Sequence, residues 1–420
     1  MATAQTDNDP RRWLAGVNFF LADVRDGLGP FLGVFLLGHG WQADAIGYLM
    51  TAAGLAGMLA TTPMGAWVDA SRRKRGLLAG ATLALIACNL ALWAMPVASV
   101  AAATQILAAV IGALFAPAIM GLTLGLVGPR GLPRQLGLNE AWNHAGNVAA
   151  AVLAGLAGYR WGLSAVFVLM VVVPCGAFVC LGRIRPSAID HEVARGARPA
   201  APARAHPEKA PGIWQVLSGS TALRRVALVM MLFHLGNAAM LPLLGQAAVA
   251  RGGADPSAYT ALTIIVAQLV MIPVALLAGR YARQYGYWRL LAWACCVLPL
   301  RGLLAATLPP ACALVPVQMM DGVAAGLMGV ALPGLVASIL RGSGHVNAGL
   351  GAVMAIQGVG AALSPALAGW VAQHHGYGPA FMALSGVAAL SLALLATQRM
   401  PRRGIPTGAI RRPYDVNSSH

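Results

Sequence analysis

The sequence predicts an all-α membrane protein with twelve transmembrane helices in two pseudo-symmetric six-helix bundles. Composition, the number of apolar runs and an internal repeat carry that prediction. Of 420 residues, 58% are hydrophobic and only 10% are charged, with 50 glycines among them, which is far from the balance of a soluble domain. Apolar runs of spanning length fall at about 13–37, 43–68, 76–95, 100–127, 136–159, 162–182, 226–249, 258–279, 288–308, 313–339, 347–371 and 379–397, each bounded by Gly/Pro or charged connectors. The halves echo one another at a shift of 212 to 214 residues. Pro30 to Gly33 align with Pro242 to Gly245, Gln105 with Gln318, His144 with Gln357, and Gly65, Gly146 and Gly155 with Gly279, Gly360 and Gly369. A common shift across five helix pairs points to a duplicated six-helix unit, a feature of secondary transporters.

The first run, WLAGVNFFLADVRDGLGPFLGVFLL, carries Asp23, Arg25 and Asp26 near its middle. A central charge costs roughly 2.5–3.5 kcal/mol on insertion scales, so the cluster calls for partners or a watery cavity. Arg11-Arg12 precede it, but the charged centre and the lack of a small-residue cleavage site make it a retained helix, not a signal peptide. Between the sixth and seventh runs lies the longest connector, 183–225, rich in Pro, Ala and Arg and without a sustained apolar period. It reads as a solvated linker beside anionic lipid. The domains are thus a bundle over 1–182, a linker over 183–225, a second bundle over 226–398 and a tail over 399–420.

The net charge of +16 does not imply nucleic acid, because the basic residues sit in short connectors where they set orientation. With the N-terminus in the cytoplasm, 25 of the 29 Lys and Arg are cytoplasmic, Arg160 and Arg251 lie outside, and Arg25 and Arg301 lie in the membrane. Both termini are therefore expected inside. The Ala/Gly/Arg bias is that of a GC-rich bacterial genome, and the expected location is the bacterial inner membrane. The six cysteines show neither metal-ligand spacing nor a disulfide framework and read as packing residues. No metal and no cofactor is expected.

Helix rise converts position into depth. Asp23, Asn147, Asn237 and Gln357 each lie about 15 Å from the cytoplasmic end of a run, near the middle of a ~30 Å core. Glu140, Asn143, His144 and Asn147 follow i, i+3, i+4, i+7 spacing and share one helix face. That face either lines a cavity or packs on another helix through hydrogen bonds. Glu140 and His144 are i,i+4 neighbours able to share a proton. Asp23 and Asp26 share a face that Arg25 does not, and close carboxylates push one pKa upward. A fixed Asp/Arg network tying this helix to its neighbours is the alternative. His234, one turn before Asn237, is a cavity residue or a membrane histidine bonded to a neighbour. Arg301 and Asp321 stand level on adjacent antiparallel runs and read as an ion pair with a structural or gating role.

The connector after the second run is Gly65-Ala-Trp-Val-Asp69-Ala-Ser-Arg72-Arg73-Lys74-Arg75. It resembles the G-x-x-x-D-[RK]-x-G-[RK]-[RK] signature of the major facilitator superfamily, matched at Gly65, Asp69, Arg73 and Lys74 and departing at Ala70 and Arg72. The resemblance implies that superfamily's fold, transport by alternating access, and a gating role for the matched residues. The helix-four arginine of proton-driven antiporters would fall at Ala108, and the helix-five exporter pattern is reduced to Gly146, Ala150, Ala151, Ala154 and Gly155.

The resulting expectation is not an enzyme but a monomeric secondary transporter that moves a small-molecule substrate with protons as coupling ion, export ahead of import. A proton-coupled importer or uniporter of an organic anion, and a non-transporting membrane sensor, stay open as alternatives. The substrate is not legible in the sequence.

Overall fold

The computed structural model describes residues 10–26, 28–194, 219–251, 255–340 and 346–397. Span one comprises Pro10–Asp26 and Gly29–Gly38, span two Ala43–Ala70, span three Lys74–Ala94, and span six Ser164–Arg183. Spans four and five are Ala98–Gly112 and the long element Phe115–Trp161, which Gly128 divides with a φ of 68°. Span seven comprises Thr221–Asn237 and Met240–Ala250, and spans eight to twelve are Pro256–Tyr285, Tyr287–Thr307, Pro310–Ile339, Val346–His375 and Tyr377–Ala396. Among the described residues, ten of these are long and apolar enough to cross a membrane. The other two, spans one and five, carry the charged and polar clusters.

Each bundle has its own apolar core. In the first, Leu14, Val17 and Leu21 of span one pack with Leu78 and Leu85 of span three and Leu122 of span four. In the second, Met230 and Phe233 of span seven pack with Leu290 and Leu298 of span nine and Leu335 of span ten. Glycines let the helices approach. A Cβ at Gly146 of span five would collide with the Phe19 carbonyl of span one, and a Cβ at Gly360 of span eleven with the Met231 carbonyl of span seven. These two contacts are images of one another under the repeat, so the duplication is structural as well as sequential.

Two runs read as continuous helices are broken. Span one stops at Asp26 and restarts at Gly29, and span seven stops at Asn237 and restarts at Met240, positions that correspond within a residue under the repeat. Local sequence explains the first break, since Gly29 takes a φ of +43° and Pro30 follows, without an N–H to donate. The second is held by tertiary contact: the fully buried Ser364 of span eleven accepts the freed N–H of Ala239 at 3.0 Å. Unsatisfied backbone is costly in a membrane. Ser364→Ala should therefore cost about 1–3 kcal/mol, read as a lower Tm of the purified protein. An unchanged Tm would mean that the break needs no cap.

The linker also differs from its reading as a wholly solvated segment. Residues 186–194 fold back on span four, where the Asp190 N–H donates to the Gly125 carbonyl at 3.0 Å, and Ile189 and Ala194 are buried. Gly121 and Gly125 leave room for them. At the other end span seven begins at Thr221, ahead of residue 226, because the Ser220 hydroxyl caps it by accepting the Leu223 N–H at 3.2 Å. Residues 195–218 and the tail over 399–420 lie outside the described residues.

Candidate functional site between and within the bundles

The two ends of the molecule differ. At the end remote from the linker, the far face, the bundles meet along two glycine-lined seams. Gly47 of span two lies against Pro365 and Gly369 of span eleven, and Gly155 and Gly158 of span five lie against Ala261 and Ser257 of span eight. The repeat relates these seams, because Ala43, Gly47 and Gly155 shift by 214 to Ser257, Ala261 and Gly369. Hydrogen bonds cross the first seam: the Ala43 N–H donates to Gln373 Oε1 at 3.1 Å, and the Ala366 N–H donates to the Thr51 hydroxyl at 3.0 Å. Toward the linker end, the terminal face, the contact thins. A Cβ at Gly358 would be in ordinary contact with Met58, one at Gly65 would meet nothing within 4 Å, and Thr61, Thr62 and Asp69 are exposed. The far face is closed, and among the described residues the contact between spans two and eleven is looser at the terminal face.

The second bundle holds a buried polar network at the break in span seven. Arg301 of span nine is 1% exposed and pairs with Asp321 of span ten at 2.8 Å, and the same Nη1 donates to Asn237 Oδ1 on the last residue before the break. The expected ion pair is present. It also takes in Asn237, which was read from the sequence as a cavity residue. Arg301 Nε and Nη2 and both polar atoms of the fully buried Gln318 have no partner. His234 donates from Nδ1 to the Met230 carbonyl of its own helix at 3.0 Å.

The corresponding place in the first bundle is hollow. A cavity of about 290 Å³ is bordered by Val24, Leu28 and Gly29 at the break in span one, with Leu85 and Asn89 of span three and Gln105 and Ala108 of span four. A shift of 213 places Cys88 and Ala108 opposite Arg301 and Asp321, and the shift of 212 that relates Pro30 to Pro242 places Arg25 opposite Asn237. Where the second bundle carries an ion pair, the first has neither charge at the matching positions and a cavity beside Ala108. Gln105, the mate of Gln318, is buried and its Nε2 has no partner. The wall is thus mainly apolar, with one unmatched hydrogen-bond donor and the amide of Asn89.

Span five only partly follows its reading from the sequence. Glu140 is exposed, while Asn143, His144 and Asn147 are half-buried. His144 Nδ1 is buried without a partner, so the histidine and Glu140 do not pair in this conformation. The contact of Gly146 with Phe19 and Ala22 sets Asn147 level with the last turn of span one, on which Asp23 stands. The side chains of Asp23, Arg25 and Asp26 lie outside the described residues. Gln357 is half-buried with its Oε1 unpartnered.

A second polar stripe on span five escaped the sequence reading. Gln135 Nε2 donates to Asn139 Oδ1 at 3.0 Å, and Asn139 Nδ2 donates to Thr123 of span four at 2.9 Å, all buried. The stripe closes the turn at Gly128. In the signature connector, Arg73 and Asp69 are exposed, and Asp69 makes no ion pair among the described residues. Lys74 is 1% exposed and donates to the carbonyls of Val68 and Ser71 at 3.0 and 2.9 Å. It caps the end of span two.

Comparison with known proteins agrees with this architecture. The Major Facilitator Superfamily profile matches residues 14–315. Two uncharacterized MFS-type transporters of Mycobacterium tuberculosis, MT2531 of strain CDC 1551 / Oshkosh and Rv2456c of strain H37Rv, are each 39% identical over 383 residues, 90% of either chain. Among solved structures, the nucleoside transporter NupG aligns with a TM-score of 0.69 at 13% identity, covering 92% of this chain and 98% of its own. A D-xylose-proton symporter aligns with a TM-score of 0.66 at 12% identity, covering 92% and 96%. With a fold of two repeated six-helix bundles, broken first and seventh spans and the matched signature, the chain belongs to the Major Facilitator Superfamily, a multi-pass membrane transporter of a small molecule and not an enzyme.

Proposed function

We propose that this transporter couples solute movement to protons by alternating access in a bacterial inner membrane, with the terminal face in the cytoplasm and the cavity of the first bundle as part of its solute site. One observation carries the reading. The turn of span one that bears Asp23 and Asp26 ends at the residues that border the cavity. Acidic residues on a helix turn that ends at the chamber offer a proton site through which solute entry and proton uptake influence each other. Protonation of one aspartate accompanies movement between the far-closed arrangement and its opposite, and His144, half-buried and unpartnered at Nδ1, relays protons with Glu140. Export is the working direction, although the exporter pattern of span five is reduced to Gly146, Ala150, Ala151, Ala154 and Gly155, and the flux assay decides it.

The test is a proteoliposome assay with a trapped pH dye. Nucleosides and D-xylose, the solutes named for the two structural neighbours, are the first probes, followed by a neutral solute library ranked by thermal shift. In the wild type a transported solute should move protons, and Asp26→Asn should lower proton-driven flux at least tenfold. Flux indifferent to an imposed pH gradient and unchanged in Asp26→Asn would falsify proton coupling.

A further inference from the structure

The connector between spans two and three and the start of the linker enclose a second cavity, of about 270 Å³, on the terminal face. Four consecutive basic residues, Arg72, Arg73, Lys74 and Arg75, form one wall, and Pro186, Ile189 and His191 form the other. Four like charges on one short turn repel one another, and such a cluster stands better when an anion lies among them. We propose that this cavity is a binding site for a phosphate group carrying at least one negative charge, supplied by a lipid headgroup or by free phosphate.

The donors in the wall fit that ligand. Lys74 is turned inward to the Val68 and Ser71 carbonyls and holds the turn, so it shapes the site instead of facing the anion. Arg72 and Arg73 are exposed beside it. Arg75 Nε and His191 Nδ1 are buried atoms with no hydrogen-bond partner, one on each wall. An Arg edge suits an oxyanion better than a point charge does. The backbone adds to this. Span three starts at Lys74 with no side-chain cap and no acidic residue in its first turn, so the positive end of a 21-residue helix lies beside the basic side chains.

Asp190 Oδ1 accepts the N–H groups of Glu192 and Val193 at 3.0 Å each and caps that short turn. Because 186–194 are already anchored on span four through Gly125, a phosphate between the walls would tie the linker to the matched signature at Arg73. The two walls belong to segments 110 or more residues apart in the chain, and only the fold brings them together.

The experiment uses the full-length protein in detergent and measures its thermal unfolding with dihexanoyl phosphatidylglycerol, dihexanoyl phosphatidylcholine, or inorganic phosphate, at constant ionic strength set with chloride. Native mass spectrometry counts retained lipids. Wild type should gain Tm with phosphatidylglycerol or phosphate and not with phosphatidylcholine or chloride. Arg72→Gln/Arg75→Gln should weaken that response at least tenfold, and His191→Gln, which lies on the short linker turn, should weaken it without altering the fold. A response to inorganic phosphate at low millimolar concentration identifies a free phosphate ligand. A response to phosphatidylglycerol alone identifies a headgroup. Absence of both responses in wild type, or full responses in folded His191→Gln and in the double variant, overturns the proposal.

Discussion

Gly47→Trp is expected to abolish transport in a protein that still folds. Gly47 sits where span two meets span eleven across the far seam, and a Cβ there would collide with the Pro365 carbonyl and reach Gly369 Cα at 3.2 Å. The obstacle is backbone, which cannot rotate away as a side chain can. Overpacking of this kind costs about 1–3 kcal/mol, and more when neither partner yields. The cost falls on the closed far face alone, because once the bundles part on that side the indole has room. A differential of 1–3 kcal/mol shifts a two-state equilibrium about 5- to 150-fold. The cores of the two bundles are built from other residues, so Tm should fall little. The readout is thiol labelling at Ser257→Cys, a position buried at 1% in the second seam. It should label slowly in the otherwise unaltered protein and quickly once Gly47→Trp is added. If both label alike while transport persists, the seam is not a gate.

That prediction rests on a regularity of the amino-acid sequence itself. The match of Gly155 with Gly369 at a shift of 214 looked like one coincidence among abundant glycines. In the fold each member faces a small residue of the opposite bundle, and those partners obey the same shift. Small residues at matched places are legible because close helix approach admits nothing else. The Arg301–Asp321 pair was legible for a similar reason, since two opposite charges level on adjacent antiparallel helices have few other ways to be satisfied in lipid.

Other features were not legible, and each failure has a local cause. The break in span one has a signal in Gly27-Leu28-Gly29-Pro30, yet its mate in span seven is Ala238-Ala239, whose cap arrives from Ser364, 125 residues away. Hydropathy cannot report a cap supplied by a distant helix. In span five the stripes at Glu140/His144 and Gln135/Asn139 have the same i,i+4 spacing, and periodicity does not say which one is turned inward. Thr123 decides the matter from across the turn at Gly128. The cavity beside Gln105 was hidden because a void is an absence of side-chain volume, and only its charged mate marks the position in the repeat.

Removing one partner of that mate is expected to be the most destabilising single change in the second bundle. Arg301 is 1% exposed and Asp321 19%, so Arg301→Ala leaves a mostly buried carboxylate beside Asn237, and Asp321→Ala leaves a buried guanidinium. Breaking such a pair costs about 3–5 kcal/mol, whereas replacing both charges with apolar groups of similar volume is often neutral. The double variant Arg301→Met/Asp321→Leu should therefore recover most of the Tm lost by either alanine variant. A double variant as unstable as the worse single one would show that Asn237 and Gln318 need the charges. Flux in the recovered double variant then separates two roles. A purely structural pair predicts transport near wild type. A gating pair predicts a stable, inactive protein, because Arg301 holds Asn237 at the break in span seven, and an apolar replacement fills the space without gripping the hinge.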